Sequence, residues 1–343
     1  LAPLRLPKHP LTMLRFGLLG LRSAVGLGKR FEGERAKALL AGCAAHSVLS
    51  LDMPMTGALG LVFLITAHVA DWPVVRGGSQ QLANALVGHL RALGGEVQTD
   101  HWVRGAADLP PAKVYLFDTG PDQLLRIADG ALPSGYKKRL GKYRFGPGVF
   151  KLDWALDGPV PWRDPRCLEA STVHVGGTMR EIAAAEGAIW RGQHPERPFV
   201  LMVQQSDVDA SRAPEGKRTG YGYCHVPANS DVDLTDVVER QIERFAPGFR
   251  DRILARHVTR PRDFEAHNPN YVGGAVTGGV ADVFQLFTRP VARLNPYSTP
   301  NPRVFICSAS TPPGGGVHGM CGFYAAESAL RRMAKQTARG LLE

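Results

Sequence analysis

The 343-residue sequence predicts a mixed α/β fold with an α+β region in its middle. Three observations support this prediction. Residues 1–71 have apolar residues at helical spacing, residues 131–300 alternate short apolar runs with turns, and an apolar run, a glycine loop and a helix end the chain. Strand-rich and helical regions that are separate along the chain are typical of α+β proteins.

Residues 1–71 are predicted to be helical. Leucines recur at helical spacing near the start, at Leu11, Leu14, Leu18 and Leu21. The most apolar window is residues 57–70 (GALGLVFLITAHVA). It is shorter than the roughly 20 residues that a membrane span needs. We expect a buried helix there, with a membrane-facing helix as the alternative.

Residues 72–130 are predicted to contain one helix followed by short strands. The helix follows a glycine pair, with Ser79 as its N-cap, and ends at Gly94 and Gly95. Two short strands are expected at residues 96–99 and 102–104. The apolar run KVYLFD, residues 113–118, predicts a buried strand with a loop at its carboxyl end.

The middle of the chain is predicted to form an antiparallel sheet with helices on one face. The expected strands are residues 149–156, 171–175, 199–204 and 219–226. Helices are expected at residues 179–190, which open after Thr178, and at residues 234–245, for which Asp233 is a candidate cap.

The end of the chain has the strongest local motif. A strand at residues 303–308 precedes STPPGGGVHGMCG, and a helix is expected over residues 323–338. Consecutive glycines allow close backbone approach to a ligand, and a helix N-terminus favours an anionic group or an electron-rich ring edge. The alternative is a flexible turn. Arg76-Gly77-Gly78-Ser79 also places glycines before a predicted helix and adds a cation, so it too is a candidate ligand site, with an ordinary turn as the alternative.

The charge balance favours anionic partners. The formal net charge is +10 and the isoelectric point is near 9.6, which suits phosphates, acidic lipids or nucleic acid. The basic residues are spread out rather than interleaved with aromatic residues, so nucleic acid is not expected. Five scattered cysteines without a CxxC pair indicate free thiols in a reducing compartment. No signal-peptide pattern is recognised, and a cytoplasmic location is expected.

Several catalytic signatures are missing from the sequence. No GxGxxG sequence directly follows a predicted strand, and Walker A, HExxH and GxSxG sequences are absent. No metal site and no catalytic residue is predicted. Histidines on apolar helical faces are expected to be core or capping residues, namely His46, His68 and His89. His174 and His318 lie beside glycines, where a ligand could approach.

An ordered set of segments resembles one family of flavoproteins. The segments are WPVVRGGSQQLANAL, LGGEVQTDHWV, VYLFDTGPDQLLRIA, FGPGVFKLDWALDGPVPW, HVGGTMREIAAAE, SDVDASRAPEGKR and PPGGGVHGMCGFYAA. Together they resemble the phytoene desaturase and carotenoid isomerase-related flavoproteins, and among these the pyridine nucleotide-disulphide oxidoreductase domain-containing 2 type. The likeness covers nearly the whole chain.

The resemblance implies an FAD-binding domain interleaved with a substrate domain. The family's amino-terminal GxGxxG unit, which holds the pyrophosphate, has no counterpart here, so FAD is expected only if that unit is supplied. The implied segments are residues 1–71 and 131–300 for the substrate domain, with residues 72–130 and 301–343 for a partial, Rossmann-like FAD-binding domain.

The resemblance also implies which residues would bind FAD. Those residues are Gly77, Gly78, Val103, Thr119, Gly120, Pro121, Gly315, Gly316, Val317 and His318. The last four match the loop that approaches the isoalloxazine. Two segments depart from the family pattern. Ser308-Ala309-Ser310 replaces a glycine-rich turn, and Gly273-Gly274-Ala275 replaces an expected Gly-Gly-Asp.

The implied function is that of an FAD-dependent oxidoreductase of the desaturase or isomerase type, acting on a long apolar substrate such as a polyene. The basic charge and the apolar window at residues 57–70 suit an enzyme that meets its substrate at a membrane surface. The expected protein partner is a separate amino-terminal chain or a second copy. The alternative is a truncated, non-catalytic protein that binds an apolar ligand or a partner without flavin.

Overall fold

The structure is a computed structural model that describes residues 7–338. The chain divides into two compact units. Unit 1 comprises the described residues within 1–14, 102–146 and 264–343, and unit 2 comprises residues 15–101 and 147–263.

The described residues form thirteen α-helices and seven β-strands. The helices are α1 (Pro10–Gly20), α2 (Ala24–Gly28), α3 (Glu34–Ala45), α4 (Thr56–Val69), α5 (Gln80–Ala92), α6 (Pro121–Ile127), α7 (Ser134–Leu140), α8 (Met179–Trp190), α9 (Gln205–Val208), α10 (Thr235–Glu243), α11 (Pro261–His267), α12 (Val283–Thr288) and α13 (Met320–Thr337). The strands are β1 (Tyr115–Phe117), β2 (Gly148–Leu156), β3 (Thr172–Val175), β4 (Val200–Val203), β5 (Arg218–Val226), β6 (Ile253–Thr259) and β7 (Val304–Ile306).

Unit 2 is built on a five-stranded antiparallel sheet with the order β3-β4-β5-β2-β6. Alternate residues of β4 enter two different apolar clusters. Met202 packs in the cluster that contains Val238 and Ile242 of α10, whereas Leu201 packs in the cluster that contains Leu40 of α3 and Ile182 of α8. Helices therefore cover both faces of the sheet. The prediction of helices on one face was wrong, although the continuous apolar run of β4 is typical of a strand that is buried on both faces.

Unit 1 contains a two-stranded parallel sheet. Strand β1 pairs with β7 in the register Tyr115↔Val304 to Phe117↔Ile306. Phe117 and Ile306 pack with apolar residues of α6 and α7, including Leu124 and Leu140. Because the strands are parallel, both run toward the same edge of the sheet, and the segments that follow them begin there.

Most of the predicted elements are confirmed, and the exceptions have physical reasons. The backbone is irregular at residues 96–99 and 102–104, where strands were predicted. In the described part of the chain no strand lies beside them, and a strand needs a hydrogen-bonded neighbour. Strand β6 was missed because it is an edge strand whose central residues are largely exposed, so its sequence ILARHVT carries charged groups.

Helix α4 occupies the most apolar window but is buried only near its start. Its buried residues are Thr56, Gly57 and Gly60, and a side chain at Gly60 would contact Leu40 of α3. Val62, Ile65 and Val69 are exposed. The expectation of a buried helix was therefore wrong for its second half. Among residues 7–338, no helix has the length and apolar character that crossing a membrane requires.

Two predicted helix caps differ in outcome. Ser79 precedes α5 in a helical conformation and makes no capping hydrogen bond with its side chain, so that prediction was wrong. Thr178 does cap α8: its hydroxyl accepts a hydrogen bond from the Glu181 N–H, and the Glu181 carboxylate accepts one from the Thr178 N–H. This reciprocal arrangement satisfies two N–H groups at the start of the helix.

Candidate functional site

The candidate site in unit 1 lies at the edge of the parallel sheet where both strands end. The Cys307 N–H donates a hydrogen bond to the Phe117 carbonyl at 2.9 Å, so the pairing of β1 and β7 extends to their last residues. Residues 118–121 follow β1 and residues 307–319 follow β7, and we name these two segments the carboxyl-edge loops. Ligands of open α/β sheets bind outside the carboxyl ends of parallel strands.

The first carboxyl-edge loop is held firmly within unit 1. The Gly120 N–H donates to the Asn270 side-chain oxygen at 2.7 Å, and the Asn270 amide in turn donates to Asn268 at 2.9 Å. Pro121 is buried as the first residue of α6. The Thr119 hydroxyl oxygen is buried without a hydrogen-bond partner in the described residues. Since buried polar atoms are normally paired, Thr119 is suited to contact a ligand.

A half-buried thiol, that of Cys307, lies where the two strands end, and its surroundings disfavour the thiolate. Burial, with Asp118 nearby, raises the pKa of Cys307 to about 12. The thiol is therefore protonated at neutral pH, and the thiolate that attacks or binds metal does not form. Among the described residues, no group of three or more His, Cys, Asp or Glu could hold a metal ion.

The three consecutive glycines of the second carboxyl-edge loop, residues 314–316, each lie close to a neighbour in unit 1. Gly314 has φ of 109°, and an added Cβ would lie 2.5 Å from the Arg289 guanidinium. A Cβ at Gly315 would lie 2.8 Å from the Thr277 carbonyl oxygen. The loop is thus packed against other segments of unit 1, which argues against a merely flexible turn.

The end of this loop leads into α13. The His318 ring accepts a hydrogen bond from the Met320 N–H through Nδ1 at 3.0 Å, which satisfies one N–H group at the helix start. Val317 is 90% exposed. The letters of residues 314–319 fit GxGxxG, but residues 307–313 separate them from β7, whereas the dinucleotide fingerprint turns directly from strand to helix. The positive end of the α13 dipole lies at the loop.

A buried polar cluster beside the loop was missed by the sequence analysis. The Arg289 guanidinium donates to the Gly279 carbonyl at 3.1 Å and to the Tyr143 hydroxyl at 3.3 Å. The Tyr143 hydroxyl donates to the Gly278 carbonyl at 2.6 Å, and burial raises the pKa of Tyr143. The arginine and tyrosine are 146 positions apart in the chain, so no local spacing pattern could have identified the cluster.

The glycine pair Gly77-Gly78 lies in unit 2. The Gly77 N–H donates to the Asp209 carboxylate at 2.6 Å, and the Arg212 guanidinium donates to the Gly77 carbonyl at 3.1 Å. An added Cβ at Gly78 would lie 2.7 Å from the same guanidinium. Both glycines have positive φ and pack on residues 209–212. Their assignment to a cofactor site therefore stays a prediction.

Unit 1 thus contains most of the predicted site residues. Thr119, Gly120 and Pro121 begin one carboxyl-edge loop, and residues 315–318 lie in the other. Val103 is half-buried in unit 1 and packs against the apolar cluster beneath β1 and β7 rather than in a strand. The structure does not place Gly77 and Gly78 in this unit.

The chain is similar in sequence to proteins of known name. No protein-family model matches the chain. Pyridine nucleotide-disulfide oxidoreductase domain-containing protein 2 from Mus musculus is 26% identical over 366 aligned positions that cover 89% of this chain, and the Rattus norvegicus protein of that name is 25% identical. The chain spans about 60% of the length of these relatives.

Solved structures show the same fold. An oxidoreductase from Methanosarcina mazei has a TM-score of 0.54 at 14% identity over 96% of this chain and 73% of its own. A putrescine oxidase variant with a redesigned cofactor-binding site has a TM-score of 0.55 at 12% identity over 97% of this chain and 70% of its own. The chain has the fold of these oxidoreductases. The predicted mixed α/β class, with a parallel and an antiparallel sheet, is confirmed.

Proposed function

We propose that the chain is the larger part of an FAD-dependent oxidoreductase and that its carboxyl-edge loops hold the ring end of FAD. The observation that supports this most strongly is the β1–β7 pairing, which starts residues 118–121 and 307–319 at one edge of a parallel sheet. The similarity to pyridine nucleotide-disulfide oxidoreductase domain-containing protein 2 supports it independently.

The residues at this edge fit an electron-rich ring. The Thr119 hydroxyl is buried and unpartnered in the described part of the chain, and the N-terminus of α13 follows the glycine loop. When bound, the flavin would supply the hydride-accepting chemistry. The chain would bind and orient the ring, exclude water on one side and stabilise negative charge through N–H groups.

We propose further that a dinucleotide-binding unit completes this site. Within residues 7–338, β1 pairs only with β7, whereas parallel sheets are usually larger and buried on both faces. Helix α5 has no buried residue and exposes an apolar row formed by Leu82, Leu86, Leu90 and Leu93. The relatives are longer than this chain, and a unit from their additional length would extend the β1–β7 sheet.

For the substrate, we propose a long apolar molecule such as a polyene. The resemblance of the ordered segments to desaturases and isomerases supports this class, and so does the exposed apolar half of α4. Turnover of amines but not of polyenes by the reconstituted enzyme would contradict the substrate class and leave the flavin proposal standing.

Reconstitution tests the proposal. The chain is mixed with the part of the mouse relative that lies outside the aligned region, in the presence of FAD, and the complex is isolated by gel filtration. We expect a yellow complex with about one FAD per chain. Gly315→Val should lose FAD, whereas Gly322→Ala, whose added Cβ meets no atom within 4 Å, should retain it. A colourless complex would contradict flavin binding and support the flavin-free alternative.

A further inference from the structure

Arg289 is a buried cation whose hydrogen-bond partners are all neutral. Its side chain is part of a residue that is only 3% exposed. The acceptors of its guanidinium are the Tyr143 hydroxyl and the carbonyls of Gly279 and Val280, at 3.1 to 3.3 Å. Its Nε atom is buried and has no hydrogen-bond partner among the described residues. Within residues 7–338, no carboxylate forms an ion pair with it.

A nearby arginine of the same unit shows the usual arrangement. Arg144 donates two hydrogen bonds to the Asp282 carboxylate, at 2.9 and 2.6 Å. Asp282 also accepts the Gln285 N–H. The buried Asp282 carboxylate is therefore paired with Arg144, whose side chain is half-exposed. Arg289 is more deeply buried than Arg144, yet no described residue provides it with a counter-ion.

This arrangement is costly in the absence of a ligand. Moving a charge out of water is costly in free energy, and buried charges are normally paired for that reason. The hydrogen bonds of the Nη2 atom to neutral oxygens recover only part of that free energy. The Nε donor adds to this cost, because no residue in the described part of the chain accepts its hydrogen bond. An anion that reached the guanidinium would recover the rest.

The guanidinium lies against the second carboxyl-edge loop. Its Nη1 atom is 2.5 Å from where a Cβ of Gly314 would be, so glycine at this position allows the cation to approach the loop backbone. The Cys321 thiol, in the first turn of α13, contacts the Gly314 carbonyl at 3.5 Å on the same loop. The charge is thus part of the structure that supports residues 314–316.

We infer that Arg289 is the anion-binding residue of the carboxyl-edge site and that it pairs with a delocalised negative charge on the ligand held there. This inference rests on the proposed function, under which the ligand is FAD and the charge is that of the reduced ring. A planar guanidinium suits a planar, delocalised anion better than a point charge does. A cation near the ring favours its reduced, anionic form and so raises its reduction potential.

The first experiment measures FAD affinity in both oxidation states for the reconstituted complex. Arg289→Met should bind oxidised FAD like the unmodified complex but reduced FAD about tenfold more weakly. Such a change lowers the two-electron potential by about 30 mV. Arg289→Lys should retain part of the preference. Arg303→Met is the control, because Arg303 is an exposed cation of unit 1 that precedes β7 at the opposite edge of the sheet. An equal loss of affinity for both forms, or no change, would overturn the inference.

A second measurement needs no flavin. Nitrate is a planar anion with a delocalised charge, and it serves as the probe for the chain alone. At equal ionic strength, nitrate should raise the thermal midpoint of the chain above that in chloride, and Arg289→Met should abolish this difference while Arg303→Met preserves it. An equal response of both variants would overturn the inference. A complex that fails to bind FAD would refute the proposed function, and the nitrate result would still decide the role of Arg289.

Discussion

The packing of Gly315 allows a quantitative prediction about the carboxyl-edge site. Its backbone is not in the left-handed region, so replacement by alanine introduces no conformational strain. The added Cβ, however, would lie 2.8 Å from the Thr277 carbonyl oxygen, closer than Cβ atoms approach other atoms in proteins. Since a backbone carbonyl cannot rotate away alone, residues 276–281 or the loop must move. Overpacking of this kind costs about 1–3 kcal/mol.

Hydrogen exchange followed by mass spectrometry localises this effect. In Gly315→Ala, peptides covering residues 276–281 and β7 should exchange roughly 5- to 150-fold faster, because each 1.4 kcal/mol corresponds to a factor of ten. Peptides from β2 in unit 2 should be unchanged. The control Gly322→Ala places its Cβ in open space within α13 and should be neutral or stabilising by up to about 1 kcal/mol. Unchanged exchange at residues 276–281 in Gly315→Ala would refute the packing argument.

Two further predictions concern unit 2. The His46 and His174 rings meet through their Nε2 atoms at 2.8 Å, and burial lowers their pKa values to about 3 and about 4. Because these histidines bind protons near pH 6.5 in the unfolded chain, the free energy of unfolding should fall as the pH drops from 6.5 toward 4, by up to about 1.4 kcal/mol per pH unit for each histidine. Denaturation measured across this range should show a smaller loss of stability in His46→Gln than in the exposed His68→Gln. Equal pH dependence of stability in the two variants would contradict the assignment. The chain should also float with vesicles of acidic phospholipid. Val69→Asp, on the exposed end of α4, should weaken vesicle binding more than the control Val232→Asp does. Absence of flotation would rule out membrane-surface association.

Local patterns sufficed to predict most of the secondary structure. Helix α8 was predicted to the residue, opening after Thr178, and in the structure Thr178 and Glu181 form a capping box before an amphipathic run. The sequences of β2 and β5 are rich in apolar residues and follow glycine-containing turns, and the two strands pair over their whole lengths. In these places the local signal and the tertiary packing agree.

The features that were missed depend on distant contacts. The Arg289–Tyr143 cluster joins three segments of the chain, and Gly77 is held by a carboxylate more than 130 positions away. Strand β6 is an edge strand with charged residues, so its neighbour β2 determines its conformation more than its own composition does. Which glycine pair belongs to which unit is likewise decided by packing rather than by the glycine pair itself.

The central claim is that the two carboxyl-edge loops bind one ligand together. Its most direct test is residue-resolved amide exchange of the reconstituted complex with and without FAD. The account predicts that FAD slows exchange at residues 118–121 and 314–319 together, with the Gly120 amide, already bonded to Asn270, changing least. Bound FAD that protects only one of the two loops, or neither, would contradict it.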